Sequence, residues 1–144
     1  QRQMCIRDRL LSERESKDTN DSSLISYFTY DHLTYLFMGD ASKQIEKQLM
    51  ATYDLKADVI KVGHHGSNTS SDPDFLDSLD CKIALISCGY KNKYGHPSVE
   101  TLKTLENLHI NTLCTSDCGS IAMYSLFHFS FVVTNDGMFG IIWT

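Results

Sequence analysis

Arginine is missing from most of this chain: Arg2, Arg7, Arg9 and Arg14 stand near its start and none follows. Basic residues as a whole are outnumbered, with 13 lysines and arginines against 18 aspartates and glutamates, for a net charge of -5. That balance argues against a broad polyanion-binding face, which needs a positive surplus. Long apolar runs are missing too. The longest candidate, SLFHFSFVV at 125–133, is interrupted by His128 and falls far short of the roughly 18 residues of a membrane-spanning helix. No apolar stretch follows the basic start, which argues against a secretory signal. The cysteines include no C-x-x-C: Cys114 and Cys118 are spaced as CTSDC, and Cys81 and Cys88 supply no second pair at zinc-ribbon distance. Buried thiols are the simplest reading of these residues, while a Cys114–Cys118 disulfide stays open for an oxidising compartment.

What is present is the composition of one globular domain. The 144 residues are 42% hydrophobic and 22% charged, enough to bury a real core. The first residues do not share that character. QRQMCIRDR has no apolar period, cap or turn chemistry. It resembles a translated transposon-adapter end, since ATG TGT ATA AGA GAC AG reads Met-Cys-Ile-Arg-Asp-Arg. Residues 1–9 are therefore set outside the fold, as a cloning scar would be, and the native protein is expected to extend upstream. The polar run LLSERESKDTNDS (10–22) reads as linker or loop, with 10–19 as linker and the folded unit counted from residue 20.

From there the pattern is α/β. SLISYFT (23–29) and LTYLFMG (33–39) are rich in β-branched and aromatic residues, and Tyr30-Asp31-His32 between them suits a hairpin turn. SKQIEKQLMATY (42–53) is helical, with Ile45, Leu49 and Tyr53 on one stripe and Ser42 as N-cap. ADVIKVG (57–63) and KIALISCG (82–89) read as strands covered on both faces. Asp72 and Pro73 open a short helix, and Pro97 opens another whose Val99, Leu102, Leu105 and Leu108 share a face. INTLCT (110–115) and SIAMYS (120–125) are strands about a turn at Asp117-Cys118-Gly119, and Asn135-Asp136-Gly137 marks a last hairpin. Strands alternating with helices place ligand sites at the strands' carboxyl ends.

Two strands end in candidate metal ligands. LTYLFMGD runs into Gly39-Asp40, and ADVIKVGHH runs into Gly63-His64-His65. Carboxylate oxygen and imidazole nitrogen are ordinary ligands for zinc and manganese, and a glycine before each lets the backbone approach an ion closely. The structural alternative has Asp40 capping the helix near Ser42, and His64 and His65 filling a turn. His96 is either an N-cap beside Pro97 or a donor to substrate. Ser67, Asn68 and Thr69 form a polar loop suited to a phosphate oxygen or to a plain turn.

TYLFMGD, ADVIKVGHHGSNTSS, ALISCGYKNKYGHPS and TSDCGSIAM, in this order and spacing, resemble the metallo-β-lactamase-fold domain of the ComEC family of competence DNA-uptake proteins. The resemblance covers roughly residues 20–124, and NDSSLISYFTY (20–30) matches that family's Asn-rich entry strand. It implies that 20–144 are the C-terminal half of such a domain, a partial αββα sandwich. It further implies that Asp40 bridges two divalent metal ions, zinc or manganese, and that His64 or His65 ligates one of them. His96 would contact a phosphate or protonate a leaving group, with Ser67, Asn68, Lys61 and Asn20 at the substrate. Lys61, Lys91 and Lys93 are the basic residues near this site, so any grip on DNA is modest. The family's first metal motif, His-x-His-x-Asp-His, occurs nowhere in the sequence, so the fragment alone is expected to be inert.

The tail after Met123 departs from the family by being longer and more apolar, an edge for a missing half of the domain to cover. The function implied is metal-dependent hydrolysis of DNA phosphodiester bonds during uptake. The domain would belong to a bacterial membrane channel protein and lie outside the cytoplasm, with DNA, the missing N-terminal half and the channel as partners. A stand-alone hydrolase of the same fold acting on another substrate, and a non-catalytic binding module, are the alternatives.

Overall fold

The computed structural model describes residues 5–10, 19–126, 129–137 and 139–142. Among these residues nine strands form two sheets. The larger has the order β1-β2-β3-β4-β5-β6, and the smaller the order β7-β8-β9. β2 (Ile25–Tyr30) and β3 (Leu33–Phe37) make the expected hairpin, with Tyr30 opposite Leu33 across Asp31-His32. From β3 onward the main sheet is parallel: β4 (Val59–Lys61), β5 (Ile83–Ile86) and β6 (Asn111–Cys114) add in turn. Between them run α1 (Lys43–Thr52), α2 (Pro73–Leu79) and α3 (Val99–Asn107). The alternation of strand and helix read from the sequence is therefore the α/β fold observed.

The period-2 pleat sorts each strand's side chains between two cores. Leu36 and Met38, Ile60 and Val62, and Ala84 and Ile86 point to one face, where Ile45, Leu49, Phe75, Leu76, Leu79 and Leu105 of the helices bury them. Leu33, Tyr35, Val59 and Ile83 point to the other, where Val132 of β8 meets them with Ile121 and Met123 of β7 beside it. β7 (Ile121–Leu126), β8 (Phe129–Thr134) and β9 (Phe139–Ile142) are antiparallel and contain the expected last hairpin. The molecule is thus three layers deep: helices, main sheet, small sheet. The tail forms that third layer, and its outer side leaves Tyr124 and Phe129 exposed.

Several expectations are corrected by packing. Residues 5–9, set outside the fold, and Leu10, read as linker, pair as β1 (Cys5–Leu10) antiparallel to β2; a sheet edge offers backbone groups to any extended segment, whatever its side chains. Most of the linker, residues 11–18, and His128 lie outside the described residues. Tyr53 is not on the buried stripe, because the chain leaves the helix there and turns extended. Pro97 precedes α3 rather than opening it, joined to His96 by a cis peptide bond, and Ser98 caps the helix by accepting from the Thr101 amide at 3.1 Å. His96 is therefore not the N-cap either. Val99 and Leu102 are exposed, and Thr101 with Leu105 takes the buried stripe, because the Thr101 hydroxyl donates to the buried Ser67 carbonyl at 3.1 Å. Residues Thr115–Cys118 wind into a single helical turn, α4, where a simple turn was expected. Cys114 and Cys118 sit at its two ends, not disulfide-bonded, and the Cys118 thiol donates to the Cys114 carbonyl at 3.1 Å.

Candidate metal and phosphate site

The site assembles where β3, β4 and β5 end. β3 passes through Met38 and Gly39 to Asp40, and β4 passes through Val62 into a helical turn over Gly63–Gly66. These two exits are tied together by the His64 amide, which donates to the Gly39 carbonyl at 3.0 Å. The glycines serve backbone packing. A Cβ on Gly63 would lie 2.9 Å from the Ala41 carbonyl oxygen, and one on Gly39 would lie 2.8 Å from Ser23 Cβ. Close approach of chain to chain, rather than of chain to ion, is thus what requires a glycine before Asp40 and before His64.

Asp40 does not cap α1. Ser42 holds the N-cap position, yet its hydroxyl donates to Asp21 Oδ1 at 2.5 Å instead of accepting from the helix. The Asp40 amide in turn donates to Ser23 Oγ at 3.0 Å. These two bonds clamp the Asn20–Ser22 turn against the start of α1 and leave the Asp40 carboxylate half exposed. Asn20 therefore lies in the segment bordering the carboxylate, with its carbonyl accepting from the Ser23 amide at 3.0 Å.

The two histidines differ in kind. His65 Nδ1 lies 2.6 Å from the Ser87 carbonyl, which has only lone pairs, so Nδ1 carries the proton and donates. In the neutral ring Nε2 then keeps its lone pair, and it stands 3.7 Å from Asp40 Oδ1. A backbone carbonyl fixing one ring nitrogen while the other faces a carboxylate is the arrangement that orients a metal-binding imidazole. His64 Nδ1 instead lies 3.2 Å from Thr69 Oγ1, and its ring stands 6.4 Å from that of His65 and 5.8 Å from that of His96. Both histidines adopt left-handed backbone, with φ of 46° and 55°.

Gly66 holds the loop against the His96 segment. Its carbonyl accepts from the Ser98 amide at 2.8 Å, and with φ +80 a Cβ there would sit 2.8 Å from Pro97 Cβ. His96 comes to the site this way. Its amide donates to Asn92 Oδ1 at 2.9 Å, Asn92 Nδ2 donates back to its carbonyl at 2.6 Å, and Tyr94 stacks on its ring at 5.9 Å. Burial, and then the neighbouring His64 and His65, push the His96 pKa below its ordinary value. Near pH 7 it is neutral, with one nitrogen donating and one accepting. Burial also lowers the Lys61 ammonium, against the pull of the Asp40 carboxylate.

The polar loop divides. Ser67 is buried, and its hydroxyl accepts from Thr69 Oγ1 at 3.0 Å while its carbonyl receives Ser70 and Thr101, so it shapes the loop rather than facing solvent. Asn68 is exposed. Asp40, His65, His64 and His96 are thus brought together, with Lys61 in reach of the Asp40 charge. As a metal site the set is partial: one carboxylate and one oriented imidazole fit a divalent ion, but the described residues contain no group of three or more His, Cys, Asp or Glu side chains placed to hold one. The Ser87 carbonyl was invisible to sequence reasoning, since a main-chain acceptor has no residue signature. Glu46 had a signal: it lies on the same helical face as Ile45 and Leu49, and it is buried there.

Among the described residues no helix is long and apolar enough to cross a membrane. No family model matches the chain. The chain is similar to ComE operon protein 3 of Bacillus subtilis, with 38% identity over 103 residues, covering 71% of this chain and 13% of that protein. It is also similar to Competence protein ComA of Neisseria gonorrhoeae, with 32% identity over 117 residues, 80% of this chain and 17% of that protein. Recombination protein 2 of Haemophilus influenzae matches at 37% identity over 70 residues, 49% of this chain and 9% of that protein. The chain therefore spans less than a fifth of the length of these relatives. By sequence it is related to bacterial competence proteins.

Proposed function

We propose that this chain is the C-terminal half of a metallo-β-lactamase-fold hydrolase domain in a DNA-uptake protein of the ComEC family. In this reading the domain hydrolyses DNA phosphodiester bonds outside the cytoplasm, joined to a membrane channel in the same polypeptide. The observation that carries the proposal is the pairing of Asp40 with a His65 whose free nitrogen is set by the Ser87 carbonyl, in a chain related to competence proteins. Asp40 and His65 would hold divalent metal, zinc or manganese, with the remaining donors supplied from elsewhere in the longer protein. Bound there, the ions would lower the pKa of a water and stabilise charge on the attacked phosphate.

The chain's own residues supply orientation. The Ser87 carbonyl keeps the proton on His65 Nδ1, and the clamp from Ser23 and Asp21 keeps Asp40 facing it. His96, neutral by its lowered pKa, donates a hydrogen bond to a phosphate oxygen more readily than it delivers a proton. A DNA strand is favoured by the adjoining loop, where exposed Tyr90 and Tyr94 each carry a lysine over the ring, Lys91 at 5.2 Å and Lys93 at 5.0 Å. Exposed aromatic faces with cations beside them suit stacked bases and phosphates. Asn68 offers a further exposed amide.

The test is Asp40→Ala in a protein extended to the length of its relatives. Metal-dependent cleavage of DNA should disappear while the circular dichroism of the fold is unchanged. Cleavage at the wild-type rate would refute the role given to Asp40.

A further inference from the structure

The thiols of Cys88 and Cys114 face each other at 3.2 Å, sulfur to sulfur. They come from different elements. Cys114 ends β6, paired in register with Ile86, and Cys88 lies two residues beyond Ile86 on the chain leaving β5. Thr115 holds Cys88 in place from both sides, accepting from its amide at 2.9 Å and donating to its carbonyl at 2.9 Å. Their exposures differ usefully: Cys88 is partly exposed, whereas Cys114 is buried, and burial raises the Cys114 thiol pKa above its ordinary value. Among the described residues, Cys81 and Cys118 make no such sulfur contact with either thiol. Cys81 lies beyond α2 in the helix-side core, and Cys118 is turned to a backbone carbonyl.

We infer that Cys88 and Cys114 are a modification site, a dithiol that a disulfide-class oxidant converts into an intrachain cystine joining the carboxyl ends of β5 and β6. Chemically, the Cys88 thiolate attacks the oxidant's disulfide, forming a mixed disulfide and expelling one oxidant thiol. The Cys114 thiolate then attacks Cys88 Sγ and expels the second oxidant thiol. The two protein thiols lose two electrons and two protons in all, and the oxidant's S–S bond becomes two S–H bonds. Cys88 is the entry point because it is the thiol a solution reagent can reach. The site also has a neighbour of consequence. The residue before Cys88 is Ser87, whose carbonyl receives His65 Nδ1–H at 2.6 Å, so the cross-link ends one residue from the support of that ring. This last link concerns the imidazole's position and holds whether or not the ring binds metal.

The folded 144-residue chain is incubated with glutathione at graded oxidised-to-reduced ratios, acid-quenched, alkylated and mapped by peptide mass. A Cys88–Cys114 peptide, lighter by two hydrogens, should form first, while Cys81 and Cys118 are still fully alkylated. Either Cys88→Ser or Cys114→Ser should abolish it, and Cys118→Ser should leave it. Full alkylation of Cys88 and Cys114 at every ratio, or a cross-link joining Cys114 to Cys118, overturns the inference. Histidine ring resonances read the coupling. Oxidation should shift the His65 signals and spare His32, which lies in the β2–β3 turn; unchanged His65 signals in a fully cross-linked sample remove that part.

Discussion

Glu46 makes the stability of this protein depend on pH in an unusual direction. The side chain is 1% exposed, on the core face of α1, and its two oxygens accept from the backbone amides of Ser71 and Asp72 at 2.9 and 2.6 Å. Burial raises its pKa from the ordinary 4.5 to about 7; the two amides oppose the rise, the Asp72 charge adds to it and Lys43 resists it. A carboxyl whose pKa is higher folded than unfolded binds its proton more tightly in the native state. Its stabilising contribution is complete below pH 4.5 and is lost as pH climbs through 7. A difference of about 2.5 pKa units corresponds to about 3 kcal/mol. Urea unfolding at pH 5 and pH 8 measures it, with Glu46→Gln as the reference that cannot titrate. The amide cannot accept at both oxygens, so the variant loses about 1–3 kcal/mol at either pH. Its stability should nevertheless change less between the two pH values than that of wild type, by about 3 kcal/mol. The same pH dependence in both proteins would refute the reasoning.

Two further outcomes follow from the loop. Gly66→Ala places a methyl 2.8 Å from Pro97 Cβ at φ +80, whereas Gly95→Ala at φ +68 meets nothing within 4 Å. Both incur the left-handed penalty of about 1–2 kcal/mol, so calorimetry should show Gly66→Ala melting at least ~5 °C below Gly95→Ala from the added clash; equal melting temperatures would mean the loop does not lean on Pro97. In a protein extended to the length of its relatives, His65→Ala should weaken zinc or manganese binding by calorimetry at least about tenfold. His64→Ala should lower the cleavage rate and leave metal affinity nearly unchanged, and the opposite ranking would transfer the ligand role to His64.

Much of the fold was legible because its signals are local. A β-branched and aromatic run marked β3, near-continuous apolar runs marked β4 and β5, Asp72-Pro73 marked the start of α2, and Asn135-Asp136-Gly137 marked the last hairpin, all of them elements whose side chains decide their conformation. The failures share a cause. Val99 and Leu102 fit a helical stripe as well as Thr101 does, and the choice was made by a carbonyl some thirty residues away in sequence, at Ser67. Tyr53 kept the phase of α1 but not its backbone. At the site, the strand tips predicted Asp40 and the histidine pair, since ligand positions follow the ends of parallel strands. The separation of His65 from His64 was not legible, because it rests on the main-chain oxygen of Ser87.

The conformation of the pair bears on why histidines stand there. Successive left-handed residues cost of order 1–3 kcal/mol each outside glycine, and a turn with no task for its side chains would be filled more cheaply by Gly, Asn or Asp. His64 and His65 carry that cost, at φ 46° and 55°. The surroundings offset it through three bonds that hold the backbone: His64 amide to Gly39, Ser67 amide to the His64 carbonyl, and Ser70 hydroxyl to Gly63. None of the three uses an imidazole. The rings themselves meet Thr69, the Ser87 carbonyl, Asp40 and His96, so what the histidines contribute beyond a turn lies on the side where the strands end. A turn explains the backbone; the placing of the rings beside Asp40 and His96 is what the proposed ligand site would use.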